Sequence, residues 1–476
     1  MKHRLSLLTI CLALLSACNV GPKYVKPSAP SAPAYKEASP AAYSAAPPGT
    51  WQPAQPQDAL LKGKWWEVFQ EPELNALEEQ LNIDNQNIKQ YFENFMAARA
   101  QVAEARSNYF PTVSANPSFT KTGTGNGTTS GSYSLPLSAS WAPDLWGRVR
   151  NTVLQAAYAA QVSAADLENE RLTEQADLAE FYFELRSQDA LQDLYNQTVA
   201  AYRQALDLTR ALVETGIDSP EAVAQAEVTL KDAEVTAAGV ATNRAIYEHA
   251  IATLIGKPAS SFAMPVKNLA TPVPPIPIGV PSQLLERRPD IAAAERTMAE
   301  ANATIGIAKA AYYPSLTLTG SGGLSAGSIA KLFSLPALFW SLGAAASETI
   351  FDAGLRKATV QQYTATYNAD VAAYRQTVLT AFQQVEDYIA TLRVTSDQIN
   401  RENDAIQAAK RYVDIATSRY QTGLDPYLNV ISAQTTLLSD QQSMVSLRMA
   451  EMTAAVQLIQ ALGGGWDVSQ LPAPGK

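Results

Sequence analysis

Two stretches of about 68 residues contain neither glycine nor proline, and they constrain the fold of this chain more than any other feature. They run from Arg148 to Thr215 and from Leu355 to Thr422. Glycine and proline are the residues that most disfavour a helix interior, so each stretch predicts one continuous helix. At about 1.5 Å rise per residue, each helix would be about 100 Å long, against an average of ~11 residues for globular helices.

These stretches belong to a sequence that occurs twice. Three glycines recur at a spacing of 207 residues: Gly147 with Gly354, Gly216 with Gly423, and Gly256 with Gly463. The word TGID at residues 215–218 returns at the same offset as TGLD at residues 422–425. We interpret the chain as two homologous repeats, residues 65–264 and 282–466, joined by a proline-rich linker at residues 265–281 and followed by a tail at 467–476.

Each repeat predicts the same series of elements. In order these are a first helix (73–110 or 290–313), a strand pair (about 111–142 or 314–350), a long helix (148–215 or 355–422) and a return helix (221–255 or 427–462). Along the second long helix, apolar residues recur at alternating spacings of three and four, as at Tyr374, Val378 and Ala381. That period is typical of left-handed coiled-coil packing, so the chain is predicted to be mainly α-helical, with helical hairpins.

The strand pairs alternate apolar and hydroxyl side chains. Leu135 and Leu137, for example, alternate with serines 134 and 138. One apolar and one polar face suit a transmembrane β-strand between lipid and water, although a soluble hairpin with one buried face has the same pattern. Pro117 and Pro136 weaken both strand predictions, because proline cannot donate to a β-ladder.

Four strands cannot close a membrane barrel, because the smallest such barrels need about eight. Two chains would supply about eight strands and an interior filled by side chains, whereas three chains would supply about twelve and leave room for water. A homotrimer is therefore the smallest assembly that is predicted to form a duct.

The N-terminus predicts a lipid anchor. Lys2 and Arg4 precede an apolar run that is too short to span a membrane, and small residues then lead to Cys18. We predict a lipoprotein signal peptide at residues 1–17, an acylated Cys18, and a Pro/Ala/Ser-rich strap and linker at residues 18–64. The alternative is an ordinary signal peptide with a chance cysteine.

Charge and composition narrow the classes of function. The full chain carries a net charge of −9, and removing Lys2 and Arg4 leaves 34 − 45 = −11 for the mature chain, which argues against nucleic acid as a partner. Only Cys18 remains after signal cleavage, so neither a disulfide nor a cysteine metal cluster is predicted. No cofactor is predicted apart from the covalent lipid on Cys18.

One motif suggests an enzyme and is rejected. Residues 323–327 fit G-x-S-x-G, the nucleophile turn of α/β-hydrolases, in which the triad histidine follows the serine along the chain. The mature chain has a single histidine, His249, and it precedes Ser325. We therefore predict a loop between strands and no enzymatic activity.

Several longer words carry a family resemblance. They are CNVGPKYVKP from Cys18, WWEVFQEPELNAL from Trp65, LLERRPDI from Leu284, RYQTGLDPYLNVISAQ from Arg419 and ALGGGW from Ala461. With these words the chain resembles the TolC-like outer membrane factors, in particular the OprM-like lipoprotein branch. The resemblance implies a homotrimer with a twelve-strand barrel in the outer membrane and a periplasmic helical tunnel. It also implies a passive exit duct that serves a periplasmic adaptor and an inner-membrane RND-type pump.

The resemblance also assigns roles to residues at the hairpin tips. It implies that Thr215, Gly216, Thr422 and Gly423 meet the adaptor. At the position where relatives often carry an aspartate that narrows the aperture, this chain has Ser432. The gate is then predicted to rest on Arg419 and Tyr420, with a carboxylate partner such as Asp218 or Asp425. The alternative function is a structural or adaptor-type coiled-coil lipoprotein that bridges components of the envelope.

Overall fold

The structure is a computed structural model, and it describes residues 19–30, 34–37, 63–125, 127, 129–268, 272–276, 287–466 and 471. The predicted signal peptide and Cys18 lie outside the described residues. So do most of the predicted strap, part of the linker and most of the tail.

Within the described residues the chain forms eight α-helices and five β-strands. In chain order they are α1 (Pro72–Asp84), α2 (Gln86–Ser107), β1 (Thr112–Ala115), β2 (Ser118–Gly123), β3 (Thr129–Trp141), α3 (Arg148–Glu214), α4 (Pro220–Leu254), α5 (Pro289–Ala310), β4 (Ser315–Ala326), α6 (Ile329–Leu332), β5 (Leu338–Ser347), α7 (Leu355–Gln421) and α8 (Tyr427–Ala461). A 3₁₀ helix at Trp65–Phe69 precedes α1. The prediction of a mainly helical chain with a small sheet is confirmed.

The two long helices, α3 and α7, have 67 residues each, and the return helices α4 and α8 have 35 residues each. Both long helices begin directly after a glycine in the left-handed region, Gly147 at φ 79° and Gly354 at φ 90°. They run without interruption because no residue inside them breaks the hydrogen-bond ladder. Each long helix pairs with its return helix over the whole length of the return helix. The resulting hairpin is about 50 Å long and has the glycine turn at its tip.

The hairpin turns close in the same way. Gly216 and Gly423 adopt φ values of 76° and 70°, and the residue after each glycine donates back across the helix end. Ile217 N donates to Leu212 O, and Leu424 N donates to Arg419 O, both at 2.9 Å. This is the Schellman closure, in which a left-handed residue ends a helix and satisfies its last carbonyls.

The first helix of repeat one differs from its prediction. The expected helix at residues 73–110 ends at Asp84 and restarts at Gln86. Asn85 is the cause, because its Oδ1 accepts from Ile88 N at 2.9 Å and caps the new helix. Its Nδ2 also donates to Leu254 O at 2.9 Å, so the end of α4 meets the start of α2. Arg288 makes the matching contact in repeat two, donating to Ala461 O at 3.0 Å.

The helices form a wall with two edges. Helix α3 packs against α2 and α4 on one side and against α5 and α8 on the other, and α7 packs against α5 and α8. The order across the wall is thus α2 and α4, then α3, then α5 and α8, then α7. The 3₁₀ helix and α1 cover one face of α3, where Trp65, Phe69 and Tyr182 lie in the largest apolar cluster.

All strands belong to one antiparallel sheet of order β1–β3–β4–β5, and β2 pairs with β3 next to β1. The prediction of four strands is therefore wrong in one detail, because the first strand is split between Ala115 and Ser118. Pro117 lies in the gap, where a residue without an N–H interrupts the ladder. In contrast, Pro136 lies inside β3, opposite Gly323 of β4. The two backbones are so close here that a Cβ on residue 323 would come within 2.2 Å of Leu135 O, so only glycine fits.

The strand register produces two chemically distinct faces. Rows of opposed residues on one face are apolar or small, such as Leu135, Leu324 and Leu338. On the other face Ser138, Ser321 and Ser341 form a row, and the hydroxyl oxygens of Ser321 and Ser341 are 2.8 Å apart. The large apolar side chains are exposed, with Trp340 at 76 % and Leu342 at 81 %. The apolar face therefore needs a covering that the described residues do not provide.

Among the described residues, none of the helices combines the length and the apolar character needed to cross a membrane.

Candidate functional site

The tips of the two hairpins pack against each other through an apolar cluster. Tyr202, Leu206 and Leu212 of α3 meet Ala226 and Leu230 of α4. Tyr420 of α7 and Tyr427 and Val430 of α8 belong to the same cluster. The two TG-[IL]-D turns, more than 200 residues apart in the chain, therefore lie at the same end of the wall.

Tyr420 joins the two hairpins. Its side chain is buried, and its hydroxyl lies 2.7 Å from Asp218 Oδ2, to which it donates, and 3.1 Å from Thr209 Oγ1. Burial, together with the Asp218 carboxylate, raises the pKa of the Tyr420 phenol. The phenol therefore stays protonated and keeps donating to Asp218 at neutral pH. We call this Tyr420–Asp218–Thr209 contact the tip latch.

Arg419 acts within its own turn. Its Nε and Nη2 lie 2.6 and 3.2 Å from the two Asp425 oxygens, a bidentate pair. The hydrogen bond and charge of Arg419 lower the pKa of the Asp425 carboxyl. The sequence did not distinguish between Asp218 and Asp425 as the partner of Arg419. In the structure the partner is Asp425. Because both residues belong to the second tip, this pair does not join the two hairpins.

The predicted docking residues lie on the exposed turns. Thr215 and Thr422 are exposed, and their hydroxyls donate to backbone oxygens of the preceding helix turn. Gly216 and Gly423 occupy the left-handed positions between them and the exposed Ile217 and Leu424.

Sequence reasoning missed two parts of the tip. Thr209 lies on α3 almost two turns before the tip, and no local pattern marks it as a partner of Tyr420. The second part is an exposed strip on α8 that begins with Leu428 and continues through Ser432, Thr435 and Ser439 at helical spacing, and of which the sequence singled out only Ser432. Exposed leucine at a tip would have been the only available signal.

A row of carboxylates follows one face of α3, from the sheet side of the helix to the upper part of the first hairpin. Its members, spaced three, four or seven residues apart, are Asp166, Glu170, Asp177, Glu180 and Glu184. At 100° per residue they lie opposite Gln175, Tyr182 and Arg186, which face the collar formed by the 3₁₀ helix and α1.

Burial is the main cause of the raised pKa of each carboxyl in this row. Burial, together with the nearby Asp177 and Glu184, raises the pKa of Glu180 to about 7, against the lowering effect of a hydrogen bond with Gln457. No cation pairs with a member of the row in the ion pairs found among the described residues.

A buried ionic cluster fixes the first hairpin where it leaves the collar. The Arg186 side chain is 1 % exposed and pairs with Glu73 at 2.6 Å and with Asp189 at 3.0 Å. It also donates to Pro265 O at 2.6 Å, at the point where the chain leaves the first repeat. Arg244 of α4 pairs with the same Asp189 at 2.7 Å. Both helices of the first hairpin are thus tied to one buried carboxylate.

The described residues at the start of the N-terminal segment lie along helix α5. Val20 N donates to Trp146 O next to the sheet, and Tyr24 OH donates to Glu295 at 2.5 Å on α5. Asn302 donates to Pro22 O at 3.0 Å. Residues 19–24 therefore begin beside the turn between β3 and α3 and follow α5 away from the sheet.

A long helical wall, a small sheet with an uncovered apolar face and a polar latch at the far end define a channel-type envelope protein. The chain belongs to the outer membrane efflux protein family, whose model matches residues 77–257 and 280–464. The antibiotic efflux pump outer membrane protein ArpC of Pseudomonas putida is 32% identical over 98% of this chain and 96% of that protein. The cation efflux system protein CusC of Escherichia coli is 26% identical over 97% and 99%.

Solved structures agree with this assignment. The outer-membrane channel OprN superposes with a TM-score of 0.85 at 27% sequence identity, covering 94% of this chain and all of the other. The resemblance seen in the sequence is therefore confirmed. The protein is an efflux channel of the outer membrane and is not an enzyme.

Proposed function

We propose that three copies of this chain form one continuous duct, with a twelve-strand barrel in the outer membrane and a helical tunnel in the periplasm. The observation that carries this proposal is that sheet and helical wall end at matching free edges. Among the described residues, β5 pairs only with β4, and β1 and β2 pair only with β3. Unpaired strand edges favour pairing with another chain.

The helical edges support the same head-to-tail contact. Edge helix α4 exposes Val228, Val235 and Ile246, and edge helix α7 exposes Tyr412 and Ile415. In a head-to-tail contact, one edge of a chain meets the other edge of the next copy. Such contacts close into a ring when the rotation that relates neighbouring copies is a whole fraction of 360°. Three copies with four strand positions each give twelve strands, enough for a water-filled barrel. The two homologous repeats would then supply six quasi-equivalent segments of the ring.

The sheet dimensions fit a bilayer. β3 and β4 pair over nine positions, from Tyr133 to Trp141. Nine residues at about 3.3 Å, tilted by about 40°, give a band about 23 Å tall, close to the ~25 Å apolar band of outer-membrane barrels. The apolar face would then contact lipid, and the serine face would line water.

The duct has no energy source of its own in this proposal. We infer that an inner-membrane RND-type pump supplies the energy and that a periplasmic adaptor docks at Thr215, Gly216, Thr422 and Gly423. Relatives in the same family are named for antibiotics and for cations. Such different solutes, together with a serine-lined barrel, support a duct that leaves the choice of solute to the pump.

Channel recording is the direct test. Purified full-length protein added to a planar lipid bilayer should produce discrete conductance steps, and crosslinking should give trimers. The rival function, a structural or adaptor-type lipoprotein, predicts binding to envelope components without any conductance. Well-folded trimers that insert but never conduct would favour that rival.

The lipid anchor is part of the same proposal. Asn19 accepts a hydrogen bond from Asn151 at 3.0 Å, beside Gly147 at the base of the sheet. We propose that acyl chains on the preceding residue, Cys18, anchor the chain in the inner leaflet of the outer membrane. Mass spectrometry of the mature protein should find Cys18 as an acylated first residue. An unmodified cysteine, or a different first residue, would contradict the anchor.

Cation preference is expected for the open duct. The mature chain carries −11, or about −33 per trimer, and the α3 carboxylate row faces away from the collar, toward the inside of the proposed ring. Reversal potentials in a salt gradient at pH 8 should show cations crossing more easily than anions. The preference should weaken from pH 8 to 6, because the raised pKa of Glu180, about 7, makes this carboxylate lose its charge in that range. A lasting anion preference would contradict the assignment of this face to the lumen.

A further inference from the structure

A short N-terminal segment contacts the second hairpin at its root, the end opposite the tip. Lys36 N and Glu37 N donate to the two oxygens of Glu386 on α7, at 2.7 and 2.9 Å. Glu37 in turn accepts from Arg393 Nη2 at 2.5 Å. Tyr35 is buried in a cluster with Val385 and Ile389 of α7 and Leu458, Ala461 and Leu462 of α8. We call residues 35–37 the root clamp.

The first hairpin is held at the same level by a very different contact. Arg393 lies 207 residues after Arg186, the spacing of the repeated glycines. Arg186 is buried and bonded to Glu73, Asp189 and Pro265, whereas Arg393 is 59% exposed. At this level the second hairpin is thus held by the Arg288 contacts to Gln384 and Ala461 and, in addition, by an exposed ion pair to a segment far away in the chain. An exposed ion pair is weaker and more easily broken than a buried, fully bonded one.

The root clamp lies so far from the tip that a small tilt of α7 at the clamp displaces the tip by several ångströms. Arg393 lies 28 residues before the end of α7 at Gln421, which corresponds to about 42 Å of helix. A tilt of about 10° at this point would move the tip by about 7 Å. That displacement exceeds the reach of the 2.7 Å hydrogen bond between Tyr420 and Asp218. The tip latch and the root clamp therefore restrain the same motion.

We infer that the root clamp is a second, releasable restraint on the gate. It holds α7 in the orientation in which Tyr420 reaches Asp218, while the buried Arg186 cluster keeps the first hairpin as a fixed reference. Release of Glu37 and Glu386 frees the second hairpin to swing as a lever. This inference rests on the proposed duct function and adds to it a coupling between the N-terminal segment and the tip.

Charge reversal provides the test. Full-length trimers carrying Glu37→Arg, Arg393→Glu or both are compared in planar bilayers, and trimer yield is measured for each by size exclusion. Each single reversal should raise the mean conductance about two- to five-fold, because one restraint is lost while the tip latch remains. The double reversal restores the opposite-charge pair and should return the conductance to within about two-fold of the parent.

Two further variants on α7 separate the clamp from a general effect of charge. Glu386→Ala removes the acceptor of both backbone N–H groups and should act like the single reversals. Asp404→Ala removes one exposed carboxylate from the same helix, for which no ion pair is found in the described part of the chain, and should leave conductance unchanged.

Single reversals that conduct like the parent, or a double reversal that conducts like the singles, would overturn the clamp. A parent protein that never conducts would instead contradict the proposed function.

Discussion

Trimers that carry both Arg419→Ala and Tyr420→Phe are expected to conduct several-fold more than the parent in planar bilayers. The Tyr420 hydroxyl donates to the charged Asp218 across the two hairpins, and such a bond contributes about 1.5 to 3 kcal/mol. Three copies that open together would lose about 5 kcal/mol or more. A shift of about 5.5 kcal/mol takes a two-state equilibrium from 1:99 to 99:1. Arg419→Ala adds to this by freeing the second turn from Asp425.

The single variants distinguish the two contacts. Tyr420→Phe should account for most of the increase, because only Tyr420 reaches the other hairpin. Arg419→Ala alone should have a small effect, since its partner Asp425 lies in the same turn. Tyr363→Phe is the matched control, a half-buried tyrosine near the sheet end of α7, and it should conduct like the parent, as should Ser432→Ala. If the double variant also conducts like the parent, the gate does not depend on the tip latch.

Gly423→Val is expected to abolish drug resistance in cells while trimers still form. Gly423 has φ 70°, where a β-branched side chain is strongly disfavoured, and its new Cβ would lie 3.3 Å from Ile217 Cγ2 of the other tip. The turn would therefore change shape on the surface that we propose meets the adaptor. The sheet and the sheet-side halves of the long helices lie far from this turn, so trimer yield should remain near that of the parent.

Two matched variants test whether shape is the cause. Gly423→Asn keeps a residue that tolerates the left-handed region and should retain most of the resistance. Gly216→Val at φ 76° has open space around its new Cβ, so it tests backbone strain without a steric contact. Resistance is measured by drug inhibition of growth in a strain that depends on this channel. Full resistance with Gly423→Val would mean that the second tip is only a turn and does not contact a partner.

Much of the fold followed from local sequence. The absence of glycine and proline from Arg148 to Thr215 and from Leu355 to Thr422 predicted helices whose observed ends differ by one residue. Gly216 and Gly423 marked the turns, because only residues that tolerate positive φ end helices in this way. The alternation of leucine and serine predicted a sheet with two different faces. These features depend on propensities of neighbouring residues, so they are readable without the fold.

Each error in the predicted fold comes from the contacts of a single residue. The sequence pattern alone does not mark Asn85 as the end of a helix. Its effect depends on the hydrogen bonds that its side chain makes with Ile88 N and Leu254 O in the folded chain. Pro117 and Pro136 looked alike in sequence, yet the first splits a strand and the second lies inside one. The difference lies in the residue on the neighbouring strand. Pro136 is opposite Gly323, and because glycine has no Cβ, the backbone of β3 can approach where any other side chain would collide with Leu135 O.

The sequence by itself determined which residues form the tips, the helices that carry them and the family to which the chain belongs. It named Arg419, Tyr420, Asp218 and Asp425 as one group but did not pair them. Only the tertiary structure decided that Tyr420 reaches Asp218 and Thr209, that Arg419 stays with Asp425, and that residues 35–37 lie on α7. The reason is physical: helix and turn preferences act over a few residues, whereas the contacts of Tyr420 with Asp218 and of residues 35–37 with α7 join positions about 200 to 350 residues apart. Their geometry exists only once the helices have packed.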